Sequence, residues 1–315
     1  MINYKAKAAF IILLSLFVLS SCAHRRKERT SVQYQTREQI AERVPVDEEP
    51  IEQPATENPQ QIHNEGSLEI PIGGPKPSQI LKRLSFTLSY NHETKNPNWV
   101  GWCLTAEHTD GDFPRKGVPY YDENGEAIGI GNVTPETLHN GYFLDLESEE
   151  PRQLLTDWFN NSYRMTHGHM CPAADNKWSK AAMNQSFLLT NMCPQDGTLN
   201  GGAWQKLEDK CRTWARQYKE IYIVAGPLYD NGKVSRTIGN SKVAVPDAFF
   251  KVVLCLTGTP KAIAFIYRND KSSQNMRDAA CSVDAIESIT GLDFFSSLPD
   301  DIESEIESQT NFNAW

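Results

Sequence analysis

Three polar clusters separated by apolar residues lie close together in the middle of the chain. They are Thr166-His-Gly-His169, Asn191-Met-Cys-Pro-Gln195 and Asn200-Gly-Gly-Ala-Trp-Gln-Lys-Leu-Glu208. Imidazole, amide and carboxylate groups in such a set can hold a metal with water ligands and set a base beside it. A neutral imidazole takes a proton from water near pH 7, which makes His169 the first candidate base. Gly168 beside it lets the backbone pass closely under a substrate. His167 and His169, two apart, can equally form a metal pair on a strand, and a loop histidine can be plain surface.

Asn200 can give one carbonyl oxygen to a hard divalent ion that keeps most of its waters, as Mg²⁺ prefers. The competing use is ordinary: asparagine is a common helix cap. Glu208 follows eight residues later, a rise of about 12 Å along a helix. It lies near the same side as Asn200 at a different height, so it suits the ion's waters or the base better than direct ligation. A solvated helix carboxylate is the alternative. Asn191 sits between apolar flanks, where a buried amide needs specific hydrogen-bond partners; bracing a loop serves as well as touching substrate.

Stepping outward, residues 84–90 alternate with period two and read as a strand, and residues 99–104 as its hairpin partner. Residues 220–226, 249–255 and 261–267 read as three more strands. Trp204, Leu207, Cys211, Trp214 and Tyr218 recur at three and four residues, so a helix is expected over 200–218, capped by Asn200. Shorter helices are expected over 151–161 and 283–291. Residues 110–131 read as loop and 186–191 as a short extended or buried segment. The expected class is α+β, with a central, mostly antiparallel sheet and flanking helices.

The ends differ from this domain. Lys5 and Lys7 precede a twelve-residue run, 8–19, that is apolar except for Ser15. That is short of the roughly 20 residues a spanning helix needs and matches the core of an export signal. It runs into Leu19-Ser-Ser-Cys22, a pattern like a bacterial lipoprotein processing site, with Cys22 as the lipid-bearing residue. Residues 23–79 are rich in Pro, Glu and Gln and read as a disordered polar tether. Residues 80–308 are expected to form one domain and 309–315 a tail. The expected location is the cell envelope, lipid-anchored, periplasmic or surface-facing.

Net charge is −9, yet residues 161–220 hold eight basic and five acidic side chains. That local excess fits brief capture of a phosphate backbone better than tight storage of nucleic acid. Six cysteines lie beyond Cys22 with no CxxC pair, which argues against a structural zinc site. Cys171 and Cys193 fall among the polar clusters, either as a brace or as two buried thiols.

Taken together and in order, the three clusters resemble the DNA/RNA non-specific endonucleases, whose core is the ββα-metal, or His-Me finger, fold. Their signature is Asp-Arg-Gly-His, then Asn-x-x-Pro-Gln, then Asn-x-Gly-x-Trp-x-x-Leu-Glu. The similarity also takes in Lys95-Asn-Pro-Asn-Trp-Val100, Val224-Ala-Gly-Pro-Leu-Tyr229 and Val245-Pro-Asp-Ala-Phe-Phe-Lys251. The resemblance implies that His169 is the general base, that Asn200 is the protein ligand of one Mg²⁺ (Mn²⁺ or another divalent ion in its place), that Glu208 acts through the ion's waters, and that Asn191 supports the site. It also implies a phosphate-contacting arginine upstream, for which Arg115 is the local candidate. Substrates would be DNA and RNA, cut with little sequence preference to leave 5′-phosphate ends. Thr166 and His167 depart from the usual Asp-Arg; His167 can meet a phosphate with positive charge only when protonated. A phosphodiesterase or phosphatase for small nucleotides, or a weakened nucleic-acid-binding envelope module, is the competing expectation.

Overall fold

Period-two patterning sends alternate residues of the long strands to opposite faces of one sheet. The computed structural model describes residues 67–115, 119–150, 152–155 and 165–315. Cys22, the signal and most of the tether lie outside the described residues, as does most of the helix expected over 151–161. β1 (Ile72–Gly73) begins the ordered elements. β2 (Gln79–Lys82), β3 (Thr87–Asn91) and β4 (Asn96–Thr105) follow as a meander. β5 (Leu138–His139) and β6 (Tyr142–Phe143) make a small ladder. β7 (Met165–His169) and β8 (Met192–Asp196) pair antiparallel, with α1 (Lys180–Gln185) between them.

Directly after β8 the chain becomes helical. One turn, α2 (Gly197–Leu199), leads through a π turn (Asn200–Trp204) into α3 (Gln205–Tyr218). β9 (Glu220–Leu228) then enters the main sheet. A short ladder of β10 (Thr237–Ile238) and β11 (Val243–Ala244) precedes β12 (Ala248–Cys255) and β13 (Lys261–Arg268). α4 (Met276–Ala279), β14 (Ala280–Cys281), α5 (Val283–Thr290), β15 (Leu292–Asp293) and α6 (Asp300–Glu307) complete the order.

The main sheet has seven strands in the order β14-β13-β12-β9-β4-β3-β2, every neighbouring pair antiparallel. The α+β expectation holds. One face of the sheet presents Val100, Trp102, Ile223, Phe249, Val253 and Phe265, and buries Trp204, Leu207, Cys211 and Trp214 from the helix that follows β8. The other face presents Val224, Phe250, Val252, Leu254 and Ala264, and is covered by Val283 and Ile286 of α5 and by Ile306 of α6. Burying each large apolar side chain is worth about 1.5–3 kcal/mol, so both layers are firmly held.

Three local readings change. Asn200 is no cap: its dihedrals are helical, and Asp196 caps the helix by accepting from Thr198 N at 2.8 Å. Residues 189–191 form a 3₁₀ turn, and the buried rather than the extended alternative holds for this segment. Described elements also begin before residue 80. Leu68 is buried in the second core, and β1 pairs with β15. A Cβ on Gly101 would lie 1.8 Å from the Glu69 carbonyl oxygen, so only glycine lets this strap cross β4. At the other end the expected tail docks too: Trp315 packs on Trp214 with ring centroids 4.7 Å apart, and Phe312 meets Phe265 edge-on.

Candidate active site

The paired strands β7 and β8 and the helix after them form a ββα unit, which sets His167, His169, Asn200, Glu208 and Arg212 in the cleft. Register puts His169 opposite Met192 and Thr166 opposite Gln195. Gly168 is required here for a reason other than the one expected. A Cβ on it would come within 2.6 Å of the Gln195 side chain, so its absence lets the two strands close over that buried carboxamide. The indole of Trp204 donates to the His169 carbonyl at 3.3 Å, which ties the end of β7 to the helix.

A cleft of about 570 Å³ opens along this unit, and Arg115, His167, His169, Asn200, Glu208 and Arg212 line it. The structure therefore brings together all but one of the expected site residues that it describes. Asn191 is the one set apart. It is fully buried behind the cleft, donating to the carbonyls of Cys171 and Ser186 at 2.9 Å each and accepting from Cys171 N at 2.9 Å. Both of its N–H donors and one lone pair of its oxygen are spent on backbone groups, and the side chain is closed to solvent.

His169 is 8% exposed, and its Nε2 is buried with no hydrogen-bond partner. Burial pushes its pKa down to about 3; the charge on Arg115 and the neighbouring His167 imidazole add to the effect, and a backbone hydrogen bond at His167 opposes it. The imidazole is therefore neutral at neutral pH, the form that accepts a proton. His167 stacks flat on Tyr142, ring centroids 4.0 Å apart at 16°. Burial, then Arg115 and His139, lower its pKa to about 3 as well. It brings an aromatic surface and hydrogen-bonding nitrogens to the cleft without a formal charge. The exposed Arg115 supplies that charge, leaning over the Phe187 ring at 5.1 Å and donating to the Tyr142 hydroxyl at 3.0 Å.

Thr166 acts on the opposite wall. Its hydroxyl donates to the Gln195 carbonyl at 2.9 Å and accepts from Asn200 Nδ2 at 2.9 Å. With the amide nitrogen so committed, the Asn200 carbonyl oxygen is the atom left to the cleft, and no described residue donates to it. Two turns along, Glu208 is half-buried, and burial raises its pKa from the ordinary 4.5 to about 7, although Lys251 and Arg212 pull it down. The donor set fits a hard divalent ion: one neutral oxygen, one carboxylate and room for the ion's waters.

Beneath the cleft lies a charge network that the sequence did not disclose. Arg212, one turn beyond Glu208, binds the buried Asp175 at 2.7 Å, and Asp175 also accepts from Trp102 Nε1 at 3.1 Å. Lys251 is fully buried with its Nζ 4.4 Å from the Trp204 ring and 5.2 Å from that of Trp102. The spacing of Glu208 and Arg212, i and i+4 on one helix face, was the available signal. All six cysteines of the described residues are free thiols; Cys171 and Cys193 are buried, and burial raises both. Among the described residues, one cluster of three acidic groups could hold a metal. It comprises Asp284, Glu287 and Glu307, on the sheet face away from α3.

The DNA/RNA non-specific endonuclease model matches residues 68–301. A nuclease of Nostoc sp. is 32% identical over 249 residues, covering 74% of this chain and 78% of that protein. The mitochondrial nuclease of Saccharomyces cerevisiae is 33% identical over 257 residues, covering 72% and 69%. A chain of the crystal structure of the EndoG/EndoGI complex superposes with a TM-score of 0.57 at 26% identity, over 72% of this chain and 89% of that one.

Because folding raises the Glu208 carboxyl, its ionisation opposes folding; the cost is absent below about pH 4.5 and complete above about pH 7. In metal-free protein, Glu208→Gln should raise stability at pH 8 by about 2–3 kcal/mol and lose that gain at pH 4. Denaturant unfolding at the two pH values checks this. An equal effect at both would show that burial of the charge is not the cause.

Proposed function

The chain belongs to the DNA/RNA non-specific endonuclease family, and we propose that it is a divalent-metal-dependent endonuclease that cleaves DNA and RNA with little sequence preference. The observation that carries this reading is the unpartnered, neutral His169 Nε2 in one cleft with the Asn200 carbonyl oxygen, Glu208 and Arg115.

His169 Nε2 removes a proton from a water, and that water attacks phosphorus in line with the bridging 3′ oxygen. The new bond is from phosphorus to the water oxygen, the bond to the 3′ oxygen breaks, and that oxygen takes a proton from a second water, leaving a 5′-phosphate and a 3′-hydroxyl. Asn200 and Glu208 would hold a Mg²⁺ or similar ion, which offsets the charge developing on the phosphate and the departing oxygen. Arg115 grips a phosphate oxygen at the cleft mouth. The neutral His167–Tyr142 stack offers a flat surface and hydrogen bonds there in place of a second cation. The attacking water is external, so no ribose 2′-hydroxyl is needed, and backbone contacts carry little sequence information.

Supercoiled plasmid and single-stranded RNA incubated with the protein and Mg²⁺ should both be cut, and EDTA or His169→Ala should lower turnover by about 10²-fold or more. Preference for dinucleotides over long chains would move the reading to a small-nucleotide phosphodiesterase. Wild-type turnover by folded His169→Ala would remove His169 from the chemistry.

The Thr166 hydroxyl is read as the anchor that turns the Asn200 carbonyl toward the ion. Thr166→Val should weaken Mn²⁺ binding about tenfold, the loss of roughly one hydrogen bond's worth of orientation, while Thr166→Ser keeps it. Electron paramagnetic resonance of free Mn²⁺ reads the affinity directly. Equal affinity in both variants would remove the anchor.

We also read Cys22 as lipid-bearing and the protein as anchored in the bacterial cell envelope, from the apolar run and Leu19-Ser-Ser-Cys22. Cys22→Ser should shift the protein from the membrane fraction to the soluble fraction; unchanged sedimentation would contradict the anchor.

A further inference from the structure

On the sheet face away from the cleft, α5 and α6 meet along a seam of carboxylates. Their apolar residues force this meeting: Val283 and Ile286 from α5 and Ile306 from α6 are all buried in the same core. Asp284 and Glu287, three apart on α5, and Glu307 on α6 each bring a carboxylate oxygen within 4.8 Å of the others. Asp293 and Glu303 lie close enough to raise the Glu307 carboxyl further. None of these five residues forms an ion pair with Lys, Arg or His among the described residues.

Glu307 separates this seam from an ordinary acidic surface. It is 5% exposed, and its Oε1 is buried without a hydrogen-bond donor. Glu303 Oε1 is buried and unpartnered as well. A buried carboxylate oxygen normally finds a donor, and leaving it bare costs more than a typical hydrogen bond gains. Glu307 is also the last residue of α6, where the helix dipole disfavours negative charge, and α6 holds no Lys or Arg. Helix end, burial and neighbours all call for a cation here.

The donors are hard oxygens only, with no His or Cys among them, which suits Ca²⁺ rather than zinc. Calcium–oxygen distances of about 2.3–2.6 Å place ligands on opposite sides of one ion roughly 4.6–5.2 Å apart, so the observed spread fits a single ion. We propose that Asp284, Glu287 and Glu307 bind one Ca²⁺ that pins α6 to α5, with Glu303 at its edge. The site is separate from the cleft and stabilises the fold rather than serving the reaction.

The test uses the purified full chain, stripped with EDTA and melted with and without Ca²⁺. The wild type should gain several degrees in Tm when Ca²⁺ exceeds its Kd about 100-fold. Asn200→Ala, which disables only the cleft's ion, should keep that gain. Glu307→Gln should lose it, while melting no lower than wild type in EDTA and cutting nucleic acid in Mg²⁺ as wild type does. Should Glu307→Gln fail to fold, Asp284→Asn on the exposed rim decides, with a Ca²⁺ affinity reduced at least tenfold by titration calorimetry. Absence of any Ca²⁺-dependent gain in wild type and Asn200→Ala would overturn the site. So would an undiminished gain in Glu307→Gln, or undiminished affinity in Asp284→Asn.

Discussion

The Asn191 carboxamide makes three hydrogen bonds to backbone groups, two to Cys171 and one to Ser186. Cys171 lies two residues past His169, and Ser186 ends α1. One buried side chain thus clips the exit of β7 to the start of β8, and Met170 N adds a bond to the Asn191 carbonyl at 3.0 Å. The imidazole's position follows from this clip and from the Trp204 indole on the His169 carbonyl. A polar group buried in that way costs several kcal/mol if left unpaired, so the loop has one low-energy arrangement. The cleft's other wall, with Thr166, Asn200 and Glu208, is then placed by the register of β7 on β8 and the helix that follows them.

Much of this was legible in the residues. Period two in 220–228 and 261–268 and the three-four spacing of Trp204, Leu207, Cys211 and Trp214 mark elements whose faces are buried, and buried faces leave the strongest pattern. His169, Asn200 and Glu208 stood out in the sequence as polar groups among apolar neighbours, and the structure brings them to one cleft. Failures came where two local signals compete. Asp196 and Asn200 are both good caps, and only the backbone entry angle at Asp196 decides between them. Leu68, Ile70 and Ile72 alternate like a strand, but the polar stretch before them masked it. Phe312 and Trp315 are apolar residues in a polar end, yet seven residues carry too little periodicity to reveal docking.

Charges inside the fold were the hardest to foresee. Lys251 stands within Phe-Phe-Lys-Val-Val, where alternation alone places it on the same face as Phe249 and Val253. A lysine facing a core is rare enough that sequence reading favours an exposed stem. Here two indole faces accept the ammonium, and Asp175, Glu208 and Arg212 lie around it. Such a cation is tolerable because the tryptophans attract it and the carboxylates offset it; neither condition can be read from one strand.

The same network explains how the cleft carries two opposed protonation demands. Burial favours a neutral His169, as the proposed base requires, but it also favours a neutral Glu208, whereas the proposed ion-holding role needs the carboxylate. Fixed positive charge at Lys251 and Arg212 favours the ionised carboxylate. Those two groups act on Glu208, Arg212 from one helical turn further on, while Arg115 acts on His169. No carboxylate appears among the groups that shift His169, so nothing acidic there stabilises an imidazolium. Replacement of the usual Asp-Arg by Thr166 and His167 fits this division. A hydroxyl can orient Asn200 without adding a negative charge beside the base, and a stacked neutral imidazole can contact substrate without adding a positive one. On the proposed mechanism, the departures add no carboxylate that would stabilise an imidazolium at His169.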